Sequence, residues 1–308
     1  MKAPATIQFL LHNEIDKVQW DNCIKESANA LIYHYSFYLD AMAPDWNAII
    51  AADYSCVLPI THKKKYGINY LYQPAFTQQL GVVAKAGMEV PINEFISTLQ
   101  QRYQFWEVQW NNEIAAGLTL PIEIKNATNF VIDLTKGYKP IAANYSKDLH
   151  RNLKRAQRFN YVYSDVNDFS SSIQLYKTYY GERIPHVKDE DYKAFKKICL
   201  YASQHQQLFC RQITYNNETL AIALLLFDGK RLYNMMNTTT PAGRKTEANH
   251  FLLDSIIKEF SDKPVVFDFE GSDLPGVKAF YQNFGPINEG YLMVKYNNLP
   301  WPLSWLKK

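Results

Sequence analysis

Asp268 and Glu270 stand two residues apart in a run, Val265 to Glu270, that reads as a strand. Side chains alternate along a strand, so both carboxylates point one way while Phe267 and Phe269 point the other. Two carboxylates held close together can serve as a general base toward an amine, because each raises the cost of ionising the other. The same spacing also suits a charged strand end bonded to loop amides and to Ser272. Upstream, a polar loop from Thr238 to Thr246 leaves a strand-like run, Arg231 to Asn237, and opens into an apolar helix, Ala248 to Phe260. The first backbone N–H groups of such a helix favour an anion. A third feature is the stretch Tyr145 to Arg158. Tyr145, Leu149, Leu153 and Ala156 recur at helical spacing, and Lys147, Arg151, Lys154, Arg155 and Arg158 take the opposite face. That basic face suits contact with phosphates, tRNA included, or simply a solvated surface.

Other chemistries find no foothold. The seven His residues include no H-x-x-x-H pair and none adjoins a Cys, so no metal is expected. No G-x-S-x-G, Walker loop or dinucleotide-binding glycine pattern is present. Cys23, Cys56, Cys199 and Cys210 are scattered, which fits a reduced, cytoplasmic setting. The longest apolar run, Leu220 to Phe227, is far shorter than the roughly 20 residues of a membrane helix. Met1 to Glu14 lacks the apolar region of a signal peptide. A net charge of +3 does not by itself imply nucleic acid.

A chain of 308 residues predicts two domains. The first half reads as a strand (Ile7 to Ile15), two helices (Asp16 to Ser27 with Asp16 as N-cap, then Tyr35 to Met42) and strands at Ala48 to Ala52 and Cys56 to Thr61. Lys63 to Gly67 reads as a hairpin tip, followed by a strand to Tyr72, a helix from Pro91 to Arg102 and strands at Phe105 to Trp110 and Asn129 to Leu134. A break near Gly137 to Pro140 sets the boundary, giving domains 1–138 and 139–296. The remainder, 297–308, is an apolar tail whose Trp301 and Trp305 are expected to pack back on the body. In the second half, Asn216–Asn217 and Asp228–Gly229 mark hairpins around the apolar strand at Leu220, and a short helix (Pro275 to Asn283) precedes a closing strand, Tyr291 to Tyr296.

This order of elements resembles the core of the GNAT acyltransferases. Phe280-Tyr281-Gln282-Asn283-Phe284-Gly285 is similar to that family's F-Y-x-x-x-G. Asp268-Phe269-Glu270-Gly271-Ser272, followed by Pro275-Gly276-Val277, resembles the tail of the Fem-type peptidyltransferases, tandem GNAT folds that act on cell-wall precursors. The resemblance implies an α/β chain of two tandem GNAT-like domains, each a mixed, mostly antiparallel sheet flanked by helices. It implies transfer of an acetyl or other acyl group from acyl-coenzyme A to the amine of a small molecule or peptide. Tyr281 would return a proton to the departing thiolate, with Asp268 and Glu270 as candidate bases. The family's R/Q-x-x-G-x-G/A phosphate loop falls on Arg244-Lys245-Thr246-Glu247-Ala248-Asn249, with Glu247 and Asn249 at the glycine positions. Gly243, Arg244, Lys245, Thr246 and Asn249 would then hold the donor, and strand amides at Met235, Met236, Asn237 and Thr238 would polarise its carbonyl. The same resemblance admits an aminoacyl-tRNA donor, met by the basic helix Lys147 to Arg158, and a GNAT-shaped binding protein whose donor site has decayed.

Overall fold

A computed structural model describes residues 6–112, 118–119, 122–271 and 274–306. The chain divides into two compact units, 1–127 with 290–308, and 128–289. The first unit opens with β1 (Ile7–Leu10), α1 (Lys17–Glu26), α2 (Ser36–Met42), β2 (Asn47–Ala51) and β3 (Cys56–Ile60). It continues through β4 (His62–Lys65), β5 (Ile68–Leu71), β6 (Val83–Ala84), α3 (Ile92–Gln100), β7 (Phe105–Trp110) and β8 (Glu123–Ala127). The second unit holds β9 (Phe130–Asp133), α4 (Tyr138–Ala143), α5 (Lys147–Ala156), β10 (Val162–Asp165), α6 (Phe169–Tyr180) and α7 (Asp189–Gln204). Then come β11 (Leu208–Tyr215), β12 (Glu218–Phe227), β13 (Arg231–Thr239), α8 (Pro241–Lys245), α9 (Ala248–Phe260), β14 (Val266–Asp268), α10 (Pro275–Gln282) and β15 (Ile287–Asn288). The chain returns to the first unit as β16 (Tyr291–Asn297) and α11 (Leu303–Leu306).

Local chemistry explains many of these elements. Asp16 caps α1 by accepting from the Val18 and Gln19 amides, as its position predicts. Tyr66 and Gly67 both take positive φ between β4 and β5, and Asn216 and Asn217 do so between β11 and β12; such turns match the strands' twist. The strand expected over Ile7 to Ile15 stops at Leu10, where Glu14 bonds back to the Leu11 amide and starts a single 3-10 turn.

Among the described residues the first unit has two sheets, ordered β1-β2-β3-β6 and β4-β5-β7-β16-β8, and of their strand pairs only β5–β7 runs parallel. The units part near residue 127 and again near 289, rather than near 138. The cause is β16. Its Leu292 and Val294 are buried and alternate with exposed Met293, and it pairs with β7 and β8, filling a gap in the first unit's sheet. The tail differs from expectation too. Trp301 is 85% and Trp305 64% exposed, because the turn closes on itself through Ser304 N to Pro300 O and Asn297 Nδ2 to Ser304 O.

The second unit has one seven-stranded sheet, β10-β11-β12-β13-β14-β9-β15, with β13–β14 parallel. Leu252, Leu253, Ile256 and Ile257 of α9 pack with Leu149 of α5, with Phe267 and Leu225 of the sheet and with Phe269 just beyond β14. β12 is buried from Leu220 to Leu226, which accounts for its unbroken apolar run. All four cysteines are buried as free thiols. Among the described residues no helix is long and apolar enough to cross a membrane.

His34 makes the first unit acid-sensitive. It is fully buried, its Nδ1 accepts from the Leu31 amide, and burial pushes its pKa down to about 4. An unfolded His titrates near 6.5, so the folded value lies below the unfolded one. Stability from keeping His34 neutral is therefore full above pH 6.5 and drains as pH falls toward 4, by about 3 kcal/mol. Urea unfolding between pH 7.5 and 4.5 should show a steeper loss in the wild type than in His34→Gln; equal slopes would contradict it.

Candidate active site

β14 follows β13 only over three pairs, Arg231 with Val266 to Tyr233 with Asp268, while β13 runs on to Thr239. At that point β13 carries a bulge. Leu224 pairs with Met236 and Leu226 with Tyr233, so Leu225 alone faces both Asn234 and Met235. The strands part there, and a cavity of about 620 Å³ lies at the parting. Its walls are Asn234, Met235, Asn237 and Thr239 of β13, Phe269 to Gly271 beyond β14, Tyr176 and Tyr180 of α6, and Phe280 and Tyr281 of α10.

The two strand carboxylates do not work as a pair. β14 ends at Asp268, and Glu270 takes a left-handed conformation (φ 58°), so the alternation that would align them is broken. Asp268 is 1% exposed and accepts from Arg231 Nη1 at 2.6 Å, Asn129 Nδ2 at 3.0 Å and the Glu270 amide at 2.8 Å. Its oxygens are committed to the fold, and it is absent from the cavity wall. Glu270 does line the cavity. Ser272, the other expected partner, lies outside the described residues.

Tyr281 also lines the cavity, at the end of α10. Its ring lies 4.7 Å from Phe269 and 5.6 Å from Phe280. Packing and exposure to the site are therefore both realised. Burial raises its hydroxyl well above the ordinary tyrosine range, helped by neighbouring Tyr176, Tyr180 and Glu270. Asn234 lies near that hydroxyl without closing a hydrogen bond.

The polar loop expected from Thr238 to Thr246 is mostly ordered structure. β13 extends through Thr239, and Thr240 caps the short α8, its hydroxyl accepting from the Gly243 amide at 3.1 Å. Gly243 presses on the Leu220 carbonyl, where any Cβ would collide with backbone. Gly243→Ala should cost about 1–3 kcal/mol through that overlap, and an unchanged melting temperature would contradict the close approach. Arg244 is exposed at the cavity rim, its Nη2 donating to the Tyr180 hydroxyl at 3.4 Å.

Glu247 follows, at the N-cap of α9, in a left-handed conformation (φ 61°) that glycine adopts most easily. Its carboxylate pairs with Arg155 Nη1 at 3.2 Å and His250 Nδ1 at 3.1 Å. Burial holds His250 below the usual histidine range, against the pull of Glu247. Arg155 belongs to α5, so the basic helix is tied to the start of α9. That helix spans Lys147–Ala156, shorter than expected, with Ser146 as its cap; Leu149 and Ala156 are buried and Lys147, Lys154 and Arg158 exposed. Arg151 pairs with Asp148.

Residues 143–280 match the family model of the acetyltransferase (GNAT) domain. None of the curated protein sequences matches the chain. Among solved structures the chain is similar to FemX, at 12% identity and a TM-score of 0.65, covering 97% of this chain and 99% of that one. It is similar to L-PGS from Bacillus licheniformis at 13% identity, TM-score 0.55 and coverage of 94% and 95%. A tandem GNAT protein from the clavulanic acid biosynthesis pathway matches at 9% identity, TM-score 0.50 and coverage of 96% and 99%. The chain therefore has a fold like that of FemX, and within it residues 143–280 match a GNAT-type domain.

Of the site residues expected from the sequence, the fold gathers Met235, Asn237, Gly243, Arg244, Asn249, Glu270 and Tyr281 around one cavity, with Glu247 beside them. Others fall elsewhere. Met236 is 1% exposed and turned from the cavity by the bulge, and Thr238 is wholly buried. Lys245 closes α8 away from the wall, and Thr246 spends its carbonyl on the Tyr161 hydroxyl. Sequence reasoning passed over Tyr176, Tyr180, Arg183, Asn234 and His250. Tyr176 and Tyr180, four apart on one helix face, were the readable signal; the bulge that turns Asn234 inward leaves none.

Proposed function

We propose that this chain is an N-acyltransferase that moves an acyl group from an activated donor to an amine, at the cavity beside β13. The observation that carries the reading is the parting of β13 and β14 at the Asn234–Met235 bulge, with Glu270 and Tyr281 on the resulting wall. Beyond Tyr233, β13 has no β14 residue beside it, so its amides are placed to bond a carbonyl oxygen as charge develops there. The amine nitrogen bonds to the carbonyl carbon and gives its proton to Glu270. Collapse breaks the bond to the leaving atom, which takes the Tyr281 hydroxyl proton. An amide and the protonated leaving group result, and the proton left on Glu270 passes back to the Tyr281 oxygen, through solvent, to restore both groups.

Acyl-coenzyme A is the first donor to consider, with Arg244 at the cavity rim for its phosphates. Three observations favour an oxygen ester such as aminoacyl-tRNA as a second reading. Glu247 places a carboxylate where the phosphate loop resembles a glycine position, at the start of α9. Tyr281, lifted above its ordinary range, is a better proton source for an alkoxide than for a thiolate, whose parent thiol titrates near 8.5. The exposed Lys147 and Lys154 of α5, with Arg158 just beyond its end, suit a polyanion. Calorimetric titration with acetyl-coenzyme A, for the wild type and Arg244→Ala, separates the two. Saturable binding weakened in the variant supports the thioester. Binding absent from both proteins, with salt-sensitive binding of charged tRNA, supports the ester; binding of neither sinks the reading.

A further inference from the structure

Two asparagines on the cavity wall carry buried amide atoms that no protein group satisfies. Asn237 of β13 presents Nδ2, a donor, and Asn249 of α9 presents Oδ1, an acceptor; neither atom has a hydrogen-bond partner. Deeper on the same wall, Asn234 is 3% exposed, and neither its Oδ1 nor its Nδ2 is bonded. Buried polar groups in folded proteins are almost always paired, because an unpaired one costs the desolvation it suffered. Three such side chains on one wall, drawn from a strand and a helix that pack together, are therefore an observation about a ligand. Apart from the Tyr281 hydroxyl close to Asn234, the neighbouring groups do not account for them. Arg244 is engaged with Tyr180, and Glu247 with Arg155 and His250.

We propose that Asn237 and Asn249, backed by Asn234, form a subsite for an amide group of a bound substrate: the Asn237 Nδ2 donates to the ligand's carbonyl and the Asn249 Oδ1 accepts its N–H. A side-chain amide offers one donor and one acceptor face, and a secondary amide returns the complementary pair. This deepens the acyltransferase reading and rests on it for the site. The amide can come from the donor arm of a pantetheine thioester or from a peptide-like acceptor, and the two are separable.

The test titrates the full chain with pantetheine and, separately, with alanyl-alaninamide, for the wild type and for Asn237→Leu and Asn249→Leu. Saturable binding of one probe, weakened about tenfold in each variant, is expected. Because these amides satisfy nothing within the fold, the variants' melting temperatures should stay level or rise. Asn237→Ser and Asn249→Ser, too small to crowd the cavity, should weaken binding in the same way. Pantetheine binding assigns the subsite to the donor, and alanyl-alaninamide binding to the acceptor. Binding of neither probe, binding unchanged in the variants, or a clear fall in melting temperature would each overturn the subsite. A wild type that binds a probe yet never acylates an amine would instead fail the acyltransferase reading and leave the subsite standing.

Discussion

Tyr281→Phe should lower kcat for acyl transfer by about 10²–10⁴-fold while leaving the fold and substrate affinity close to wild type. The ring packs against Phe269 and Phe280, and phenylalanine keeps those contacts. Only the hydroxyl is lost. The proton-donor role proposed for it also fixes a pH signature. Burial raises the Tyr281 hydroxyl above its ordinary value near 10, so the wild type should show no alkaline loss from Tyr281 ionisation up to that pH. Steady-state kinetics over pH 6–10, with melting temperature as the control for folding, decide the matter. A variant that keeps wild-type kcat would reduce Tyr281 to packing and return the proton step to solvent.

Arg231→Ala should cost about 3–5 kcal/mol, the largest stability effect expected in the second unit. Arg231 bridges Asp268 at 2.6 Å and Glu289 at 2.8 Å, and Asp268 is 1% exposed. Removing the guanidinium strands a carboxylate in the interior. Asp268 in turn holds the Glu270 amide, and Asn129 holds both Asp268 and the Gly271 amide, so the cavity wall beyond β14 hangs on this network. Pairing Arg231→Ala with Asp268→Asn should cost less than the sum of the two singles, since neither charge is then left alone. Denaturant titration of the four proteins tests this; a single-variant cost under about 1 kcal/mol would contradict a buried pair.

These two residues also mark what was legible in the sequence. Elements built from local rules read well: the Asn216–Asn217 hairpin, the Asp16 cap and the apolar stripe of α5 each rest on neighbours within a few residues. The placement of Tyr281 on the cavity wall was readable because its helix carries a recognisable word. Asp268 was misplaced because a strand of alternating charge looks the same whether its carboxylate faces a cavity or an arginine 37 residues away. Left-handed Glu247 and Glu270 hid a loop and a strand end, since nothing in a glutamate announces positive φ. The bulge at Asn234 and Met235 depends on register against β12, and β16 on pairing with β7, both of them long-range choices.

The central claim is that the cavity at the parting of β13 and β14 transfers an acyl group to nitrogen. The most direct measurement incubates the purified chain with isotope-labelled acetyl-coenzyme A and, separately, with labelled aminoacyl-tRNA, each beside a panel of small amines, amino sugars and dipeptide amides, and follows label into amide by mass spectrometry. Label should appear in an N-acylated product with one of the two donors, slowed at least a hundredfold by Tyr281→Phe. Product formed equally by that variant, or donor bound in the cavity with no amide formed from either source, would contradict it.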